Sequence, residues 1–165
     1  MNYYTLLESP VDRLLLMSDD DFLTGVYMEI EIQKLLPRII GNSNWRQDKV
    51  PFTETIAQLN AYFAKELIEF DLPMKAIGTP FQQAVWQQLS TISYGETVSY
   101  KYIAERIHLP KAARAVGMAN GQNPISIIIP CHRVIGANGK LTGYGGGVHR
   151  KQWLLAHEDR QTSFT

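Results

Sequence analysis

Apolar and polar positions along the chain follow one period at the start and another afterwards. Over the first thirty residues they come in short runs. Residues 3–7 are rich in β-formers, 13–18 are apolar, Asp19, Asp20 and Asp21 make a solvated turn, and 22–30 alternate. This pattern predicts short strands forming a small antiparallel sheet. Between Pro37 and Val50 the segment Gly41-Asn42-Ser43-Asn44 reads as loop, and Pro51 and Thr53 then introduce a helix. Ile56, Leu59, Phe63 and Leu67 recur in it at roughly helical spacing, giving one apolar stripe suited to covering the sheet.

Pro73 and Gly78 break regular structure, so residues 1–73 are expected to form one domain, 74–78 a linker and 79–165 a second domain. Thr79 as N-cap with Pro80 behind it makes a strong helix start, with Phe81, Val85, Leu89 and Ile92 on one face. After a short extended Thr97-Val98, Ser99 caps a helix to about Ile107, and Leu109-Pro110 turns the chain into a second helix over 111–120. Two short helices joined by a tight turn form a helix-turn-helix candidate, although helical proteins contain many such pairs that only pack. The second is mostly small residues around Arg114, which permits close approach to another surface, whether DNA or the protein core. Residues 148–158 read as an amphipathic helix with Trp153, Leu154 and Leu155 inward. The fold class is α/β, of the α+β kind: an N-terminal sheet with a covering helix, then a mainly helical C-terminal domain.

A chain of 165 residues can bury one good core or two small ones. Its apolar runs are too short to span a bilayer, and no basic stretch followed by an apolar one opens the chain, so a cytoplasmic protein without membrane association is expected. One cysteine excludes an internal disulfide and a thiolate zinc cluster, and the four histidines lack metal-ligand spacing. No metal or cofactor is expected. The zero net charge hides a split: from Thr79 onward nine basic residues face four acidic ones, whereas the preceding part has seven against twelve. A basic half suits a polyanion such as DNA.

The single cysteine, Cys131, follows the run Ile127-Ile128-Ile129-Pro130 and precedes His132 and Arg133. A thiol reacts as its thiolate, which requires positive charge or a general base nearby, and these two neighbours supply both. A buried structural cysteine on a core strand is the plainer alternative. Pro124 and Pro130 fix where the run begins and ends, which favours a nucleophile.

Pro130-Cys131-His132-Arg133-Val134, with Asn123-Pro124 before it and Asn138-Gly139 and Tyr144-Gly145-Gly146-Gly147 after it, resembles the active-site signature of the O6-alkylguanine-DNA alkyltransferases. The similarity runs over 79–158, through Gly95 to Tyr100, Lys111 to Gly117 and Trp153 to Glu158. It implies direct repair of DNA. Cys131 takes the alkyl group from guanine O6 as a stable thioether and stops after one turnover. His132 acts as base, directly or through a water, with Glu158 orienting it. Asn123 ties the turn beside Cys131 to the helix-turn-helix. The target base has to leave the stack, and Arg114 matches the family's intercalating arginine on a helix where Lys111, Ala112, Ala113 and Gly117 meet DNA. Tyr100 matches the tyrosine that rotates the target phosphate and offers its hydroxyl to guanine N3. Tyr144, Gly145 and Gly146 form a wall of the alkyl pocket, and the carbonyls of Cys131 and Val134 accept from the guanine amine.

Ser126 stands where some relatives carry proline, and Gly145 where some carry serine; methyl transfer is expected to survive both departures, and acceptance of bulky groups such as benzyl is in question. The implied partner is duplex DNA carrying O6-alkylguanine, with O4-alkylthymine a second candidate lesion. A monomer is expected, with cooperative assembly on DNA left open. Two rivals use the same residues: a cysteine hydrolase built on Cys131, His132 and Glu158, and a non-catalytic helix-turn-helix module.

Overall fold

The structure is a computed structural model, and it describes residues 1–136, 138–139, 144 and 146–159. The chain divides into two compact units, Met1–Ala76 and Ile77–Thr165.

In the first unit, strands β1 (Asn2–Leu7), β2 (Leu14–Ser18), β3 (Leu23–Tyr27) and β4 (Trp45–Gln47) form one sheet in the order β3-β2-β1-β4. The pairs β1/β2 and β2/β3 are antiparallel, but β4 adds to β1 in parallel, so the sheet is mixed rather than the antiparallel one predicted. Register places Tyr4 opposite Met17 and Leu6 opposite Leu15, all on one face. That face packs on helix α1 (Glu29–Ile39), whose Ile32 and Ile39 join Tyr4 and Leu15 in one core. Leu14 and Leu16, pointing the other way, are also fully buried.

Helix α1 falls outside the predicted elements. The expected strand to residue 30 stops at Tyr27, and Met28 becomes the N-cap of a helix with Glu29 and Glu31 in its first turn. The predicted covering helix is α2 (Thr53–Phe63), entered through a 3₁₀ turn, Val50–Phe52. Its buried residues are Thr55, Leu59 and Tyr62, and the helix ends before Lys65, which has φ 62°, so Leu67 lies off it. The expected linker is partly structured. Leu23 N–H donates to the Pro73 carbonyl and the Leu23 carbonyl accepts from Lys75 N–H, both at 2.9 Å, tying the chain around Met74 to the β3 edge.

The second unit opens on helix α3 (Pro80–Leu89), fixed by a capping box. Thr79 Oγ1 accepts from Gln82 N–H at 3.1 Å, and Gln82 Oε1 accepts from Thr79 N–H at 2.9 Å. Gly78 is required just before it, because a Cβ there would lie 2.4 Å from the Trp86 ring. Strand β5 (Val98–Ser99) leads into α4 (Tyr100–Arg106), capped by Ser99, whose Oγ accepts from Tyr102 N–H at 3.0 Å. The chain turns at His108, φ 63°, and enters α5 (Ala113–Gly121). Trp86 Nε1 donates to the Ala119 carbonyl at 2.9 Å and anchors α3 on the last turn of α5. The apolar run that follows is no strand: Ile127 has φ 72°, and the segment winds through buried turns into a 3₁₀ turn, Cys131–Arg133. Strand β6 (Val134–Ile135) then pairs in parallel with β5, and α6 (Val148–Glu158) closes the described chain. Of the three residues expected to face inward on α6, Leu154 is fully buried while Trp153 and Leu155 are half-buried.

Candidate active site

Cys131 sits at the start of its 3₁₀ turn, 3% exposed. Asn123 shapes the approach: its Oδ1 accepts from Ile125 N–H at 3.1 Å, and its Nδ2 donates to the Ile129 carbonyl at 2.8 Å. Burial pushes the Cys131 thiol up. Hydrogen bonding from Asn123, the charge of Lys151 and a hydrogen bond from Tyr144 act the other way, each favouring the thiolate.

His132 is fully buried, and its Nε2 lies 2.7 Å from Glu158 Oε2. Glu158, 1% exposed, also accepts from Arg133: Nε to Oε1 at 2.7 Å and Nη2 to Oε2 at 3.0 Å. Burial alone would raise the Glu158 carboxyl, but the hydrogen bonds and charges of His132 and Arg133 outweigh it and hold it well below the ordinary carboxylate range. An ionised Glu158 has no proton to give, so His132 must carry its hydrogen on Nε2. Nδ1 is then the basic nitrogen, and it is buried with no hydrogen-bond partner among the described residues. Burial also lowers the His132 pKa despite the carboxylate, keeping the ring neutral.

Arg133 does not serve Cys131 as expected. Its guanidinium is taken up by Glu158 and by the Ile92 carbonyl, 2.7 Å from Nη1, and it stands 5.7 Å from the Tyr94 ring centroid. The cation that acts on the thiol is Lys151, which the sequence reading passed over. Its side chain is fully buried, Nζ donates to the Val134 carbonyl, and Nζ lies 5.8 Å from the ring centroids of both Tyr100 and Tyr144. The signal was available in the spacing, since Lys151, Leu154 and Glu158 fall on one face of α6. Asn120 was also missed. It shares the inner face of α5 with Val116 and Ala119, and its Nδ2 donates to the Cys131 carbonyl at 3.2 Å.

These contacts bear on the carbonyls expected to receive a guanine amine. That of Cys131 already accepts from Asn120 and from Val134 N–H, and that of Val134 from Lys151. Tyr144 is buried against Cys131, and Ser126 is half-buried in the preceding turn. Gly146 is buried, its carbonyl accepting from Arg150 Nη1 at 2.9 Å, while Gly145 lies outside the described residues. On α5 and the turn before it, Lys111 and Arg114 are exposed, Ala112, Ala113 and Gly117 are half-buried, and Gly117 lies under the Tyr100 ring.

Residues 80–160 match the family described as 6-O-methylguanine DNA methyltransferase, DNA binding domain, and residues 2–76 match its ribonuclease-like domain. The chain belongs to the methylated-DNA–protein-cysteine methyltransferase family. A Mycobacterium tuberculosis protein of that name is 52% identical over 158 residues, covering 96% of this chain and 93% of its own. The crystal structure of M. tuberculosis O6-methylguanine methyltransferase superposes with a TM-score of 0.87 at 48% identity over the full length of both chains. The M. tuberculosis protein crystallised in complex with DNA superposes with a TM-score of 0.85 at 50% identity, covering 95% of this chain and 92% of that one.

Methyltransferase membership fixes the activity class as direct-reversal DNA repair by alkyl transfer, with DNA as partner. Among the described residues no helix is long and apolar enough to cross a membrane.

Proposed function

We propose that this methyltransferase removes the alkyl group from O6 of guanine in duplex DNA by transferring it to its own Cys131. The observation that carries the reading is a buried neutral histidine, next in the chain to the buried Cys131, whose tautomer Glu158 dictates and whose Nδ1 is left without a partner among the described residues. The Cys131 proton passes to His132 Nδ1 through a water, since Nδ1 meets no protein partner among the described residues. The sulfur attacks the alkyl carbon in line, an S–C bond forms as the C–O6 bond breaks, and the electron pair leaves with the purine. The Tyr100 hydroxyl supplies the proton that the departing base takes up at N3. A thioether is a poor leaving group, so each molecule acts once.

The substrate base has to leave the stack to reach a buried thiol. Arg114, exposed on α5 between small residues, fills the vacated space, and Lys111, Ala112, Ala113 and Gly117 lie along the minor groove beside it. Asn123 holds the turn that presents Cys131, and Val134, Tyr144, Gly146 and Ser126 surround the alkyl group. O4-alkylthymine offers the same alkyl–oxygen bond and is a second substrate. The protein acts as a monomer, and assembly on DNA adds copies without new chemistry. It works in the cytoplasm, where a lone thiol stays reduced.

Incubation with an oligonucleotide containing O6-methylguanine, followed by intact mass and peptide mapping, tests the reading. One methyl group on Cys131 per molecule, and none in Cys131→Ser, is expected. Continued turnover of excess substrate would favour a hydrolase and sink it.

A further inference from the structure

We propose that Asn120 is a positioning residue for alkyl transfer: its side-chain amide grips the Cys131 carbonyl and so holds the nucleophile's backbone in register with helix α5. The inference rests on the reading of Cys131 as the acceptor thiol.

Asn120 is 1% exposed, and its Nδ2 donates to the Cys131 carbonyl at 3.2 Å. Chemistry fixes the orientation of the amide, because the flipped form would set Oδ1 against the carbonyl oxygen, acceptor against acceptor. In the observed orientation Oδ1 is buried and meets no hydrogen-bond partner among the described residues. An unmet buried acceptor lowers stability, and a leucine of nearly the same size would fill the space without that penalty. Packing alone therefore does not call for an amide at this position.

What the amide does, and leucine cannot, is hold the carbonyl of the residue whose sulfur must meet an alkyl carbon in line. The bond is stiffened at both ends. Trp86 Nε1 holds the Ala119 carbonyl at 2.9 Å, fixing the last turn of α5, and the Cys131 carbonyl also accepts from Val134 N–H, closing the 3₁₀ turn. Asn123 does not duplicate this role. Its side chain bonds the backbone of Ile125 and Ile129, which shapes the segment before Cys131, whereas Asn120 bonds the backbone of Cys131 itself. Misplacing a reacting atom by about 1 Å can slow chemistry on the order of a hundredfold, so losing this bond is expected to slow transfer by about tenfold or more.

The test uses the full-length protein with Asn120→Leu and Asn120→Asp, following single-turnover methyl transfer from O6-methylguanine duplex, affinity for undamaged duplex, and thermal melting. Asn120→Leu is expected to melt no lower than wild type, to bind undamaged duplex equally, and to transfer about tenfold more slowly by the same factor at every pH. Asn120→Asp has a donor only when protonated, so its rate relative to wild type should climb as pH falls, above the level of Asn120→Leu. Because Cys131 is the only cysteine, carbonyl-¹³C cysteine gives a single NMR signal at the bonded carbonyl. That signal should shift in Asn120→Leu and titrate in Asn120→Asp. One folded variant suffices. Wild-type rates in either variant, an unmoved carbonyl signal, or a loss confined to DNA affinity would each overturn the proposal. A wild-type protein methylated elsewhere than Cys131 would instead overturn the underlying reading of the nucleophile.

Discussion

Lys151 and Glu158 stand two turns apart on one face of α6 and hold consecutive parts of the same short segment: Lys151 takes the Val134 carbonyl, and Glu158 takes the side chains of His132 and Arg133. One helix thus delivers a cation toward the thiol and an anion to the imidazole, each at its own end of a four-residue stretch. Separating the charges this way keeps Glu158 from neutralising Lys151, and it allows both to be tested independently.

Glu158→Gln is expected to lose most transfer activity, because a neutral amide no longer forces the His132 proton onto Nε2. Removing one partner of a buried ion pair also destabilises by about 3–5 kcal/mol. The pH dependence follows from the direction of the shift. The folded carboxyl is held below its unfolded value of about 4.3, so its contribution to stability is complete above that pH and declines as pH falls toward the folded titration. Urea unfolding of the two proteins should therefore differ most near neutrality and converge in acid. A difference independent of pH would show that the charge on Glu158 contributes nothing.

Neutral His132 adds an acid-side loss of its own. Its folded pKa is lowered by burial, so the unfolded chain binds a proton that the folded one refuses as pH falls below about 6.5. His132→Asn should flatten the stability curve between neutrality and mild acid while abolishing transfer. A curve in that range as steep as that of wild type would mean that His132 is solvated and charged in the fold.

The parts of this molecule that the sequence reveals are those decided locally. Thr79-Pro80 with Gln82 three residues after the cap, Ser99 before Tyr100, and the span of α6 all depend on neighbours in the chain, and the elements begin where those residues place them. Strand β4 is three residues long and pairs with β1 over forty positions earlier, so no local pattern announces it. Helix α1 carries Ile32, Leu35, Leu36 and Ile39 at helical spacing, but Pro37 beside them reads as a breaker; the helix runs through it to Ile39 all the same, forgoing the bond that an N–H at 37 would make to the Gln33 carbonyl. At the site, Cys131 and His132 are adjacent and legible together. Glu158, Lys151 and Asn120 look like surface residues in isolation, and only the packing of α5 and α6 turns them inward.

Lys151→Met should slow the reaction of Cys131 at neutral pH by about tenfold, close to 1.4 kcal/mol, by removing the positive charge that favours the thiolate. Methionine fills similar space without a buried charge, so melting should hold or rise. Iodoacetamide labelling against pH checks this: the profile should move to higher pH in the variant. An unmoved profile would assign Lys151 to packing between Tyr100 and Tyr144 alone.

Arg114→Ala should slow repair of duplex substrate far more than reaction with a free O6-substituted guanine, since only the duplex requires a base to be extruded. Equal losses on the two substrates would point to the pocket or the fold. Binding to undamaged duplex should weaken as salt is raised, through release of counterions displaced by Lys111, Arg114 and their basic neighbours.

Alkylation itself should loosen the second unit. Cys131 is 3% exposed and hemmed in by donors from Asn123 and Tyr144 that favour a bare sulfur. A methyl group on that sulfur removes the negative charge those donors serve and demands room in a site with little to give. Overpacking of this kind costs roughly 1–3 kcal/mol, a large share of a typical stability of about 5–15 kcal/mol. The displaced segment includes the Cys131 carbonyl and the turn held by Asn123, so the disturbance reaches α5 through the Asn120 bond. The methylated protein should melt at a lower temperature and be cut faster by protease than the free thiol form. Both forms must be freed of DNA first, because bound duplex raises the apparent stability of either. Identical melting and digestion after complete methylation would mean that the pocket has room for the group and that Cys131 is not mechanically linked to the DNA-facing helix.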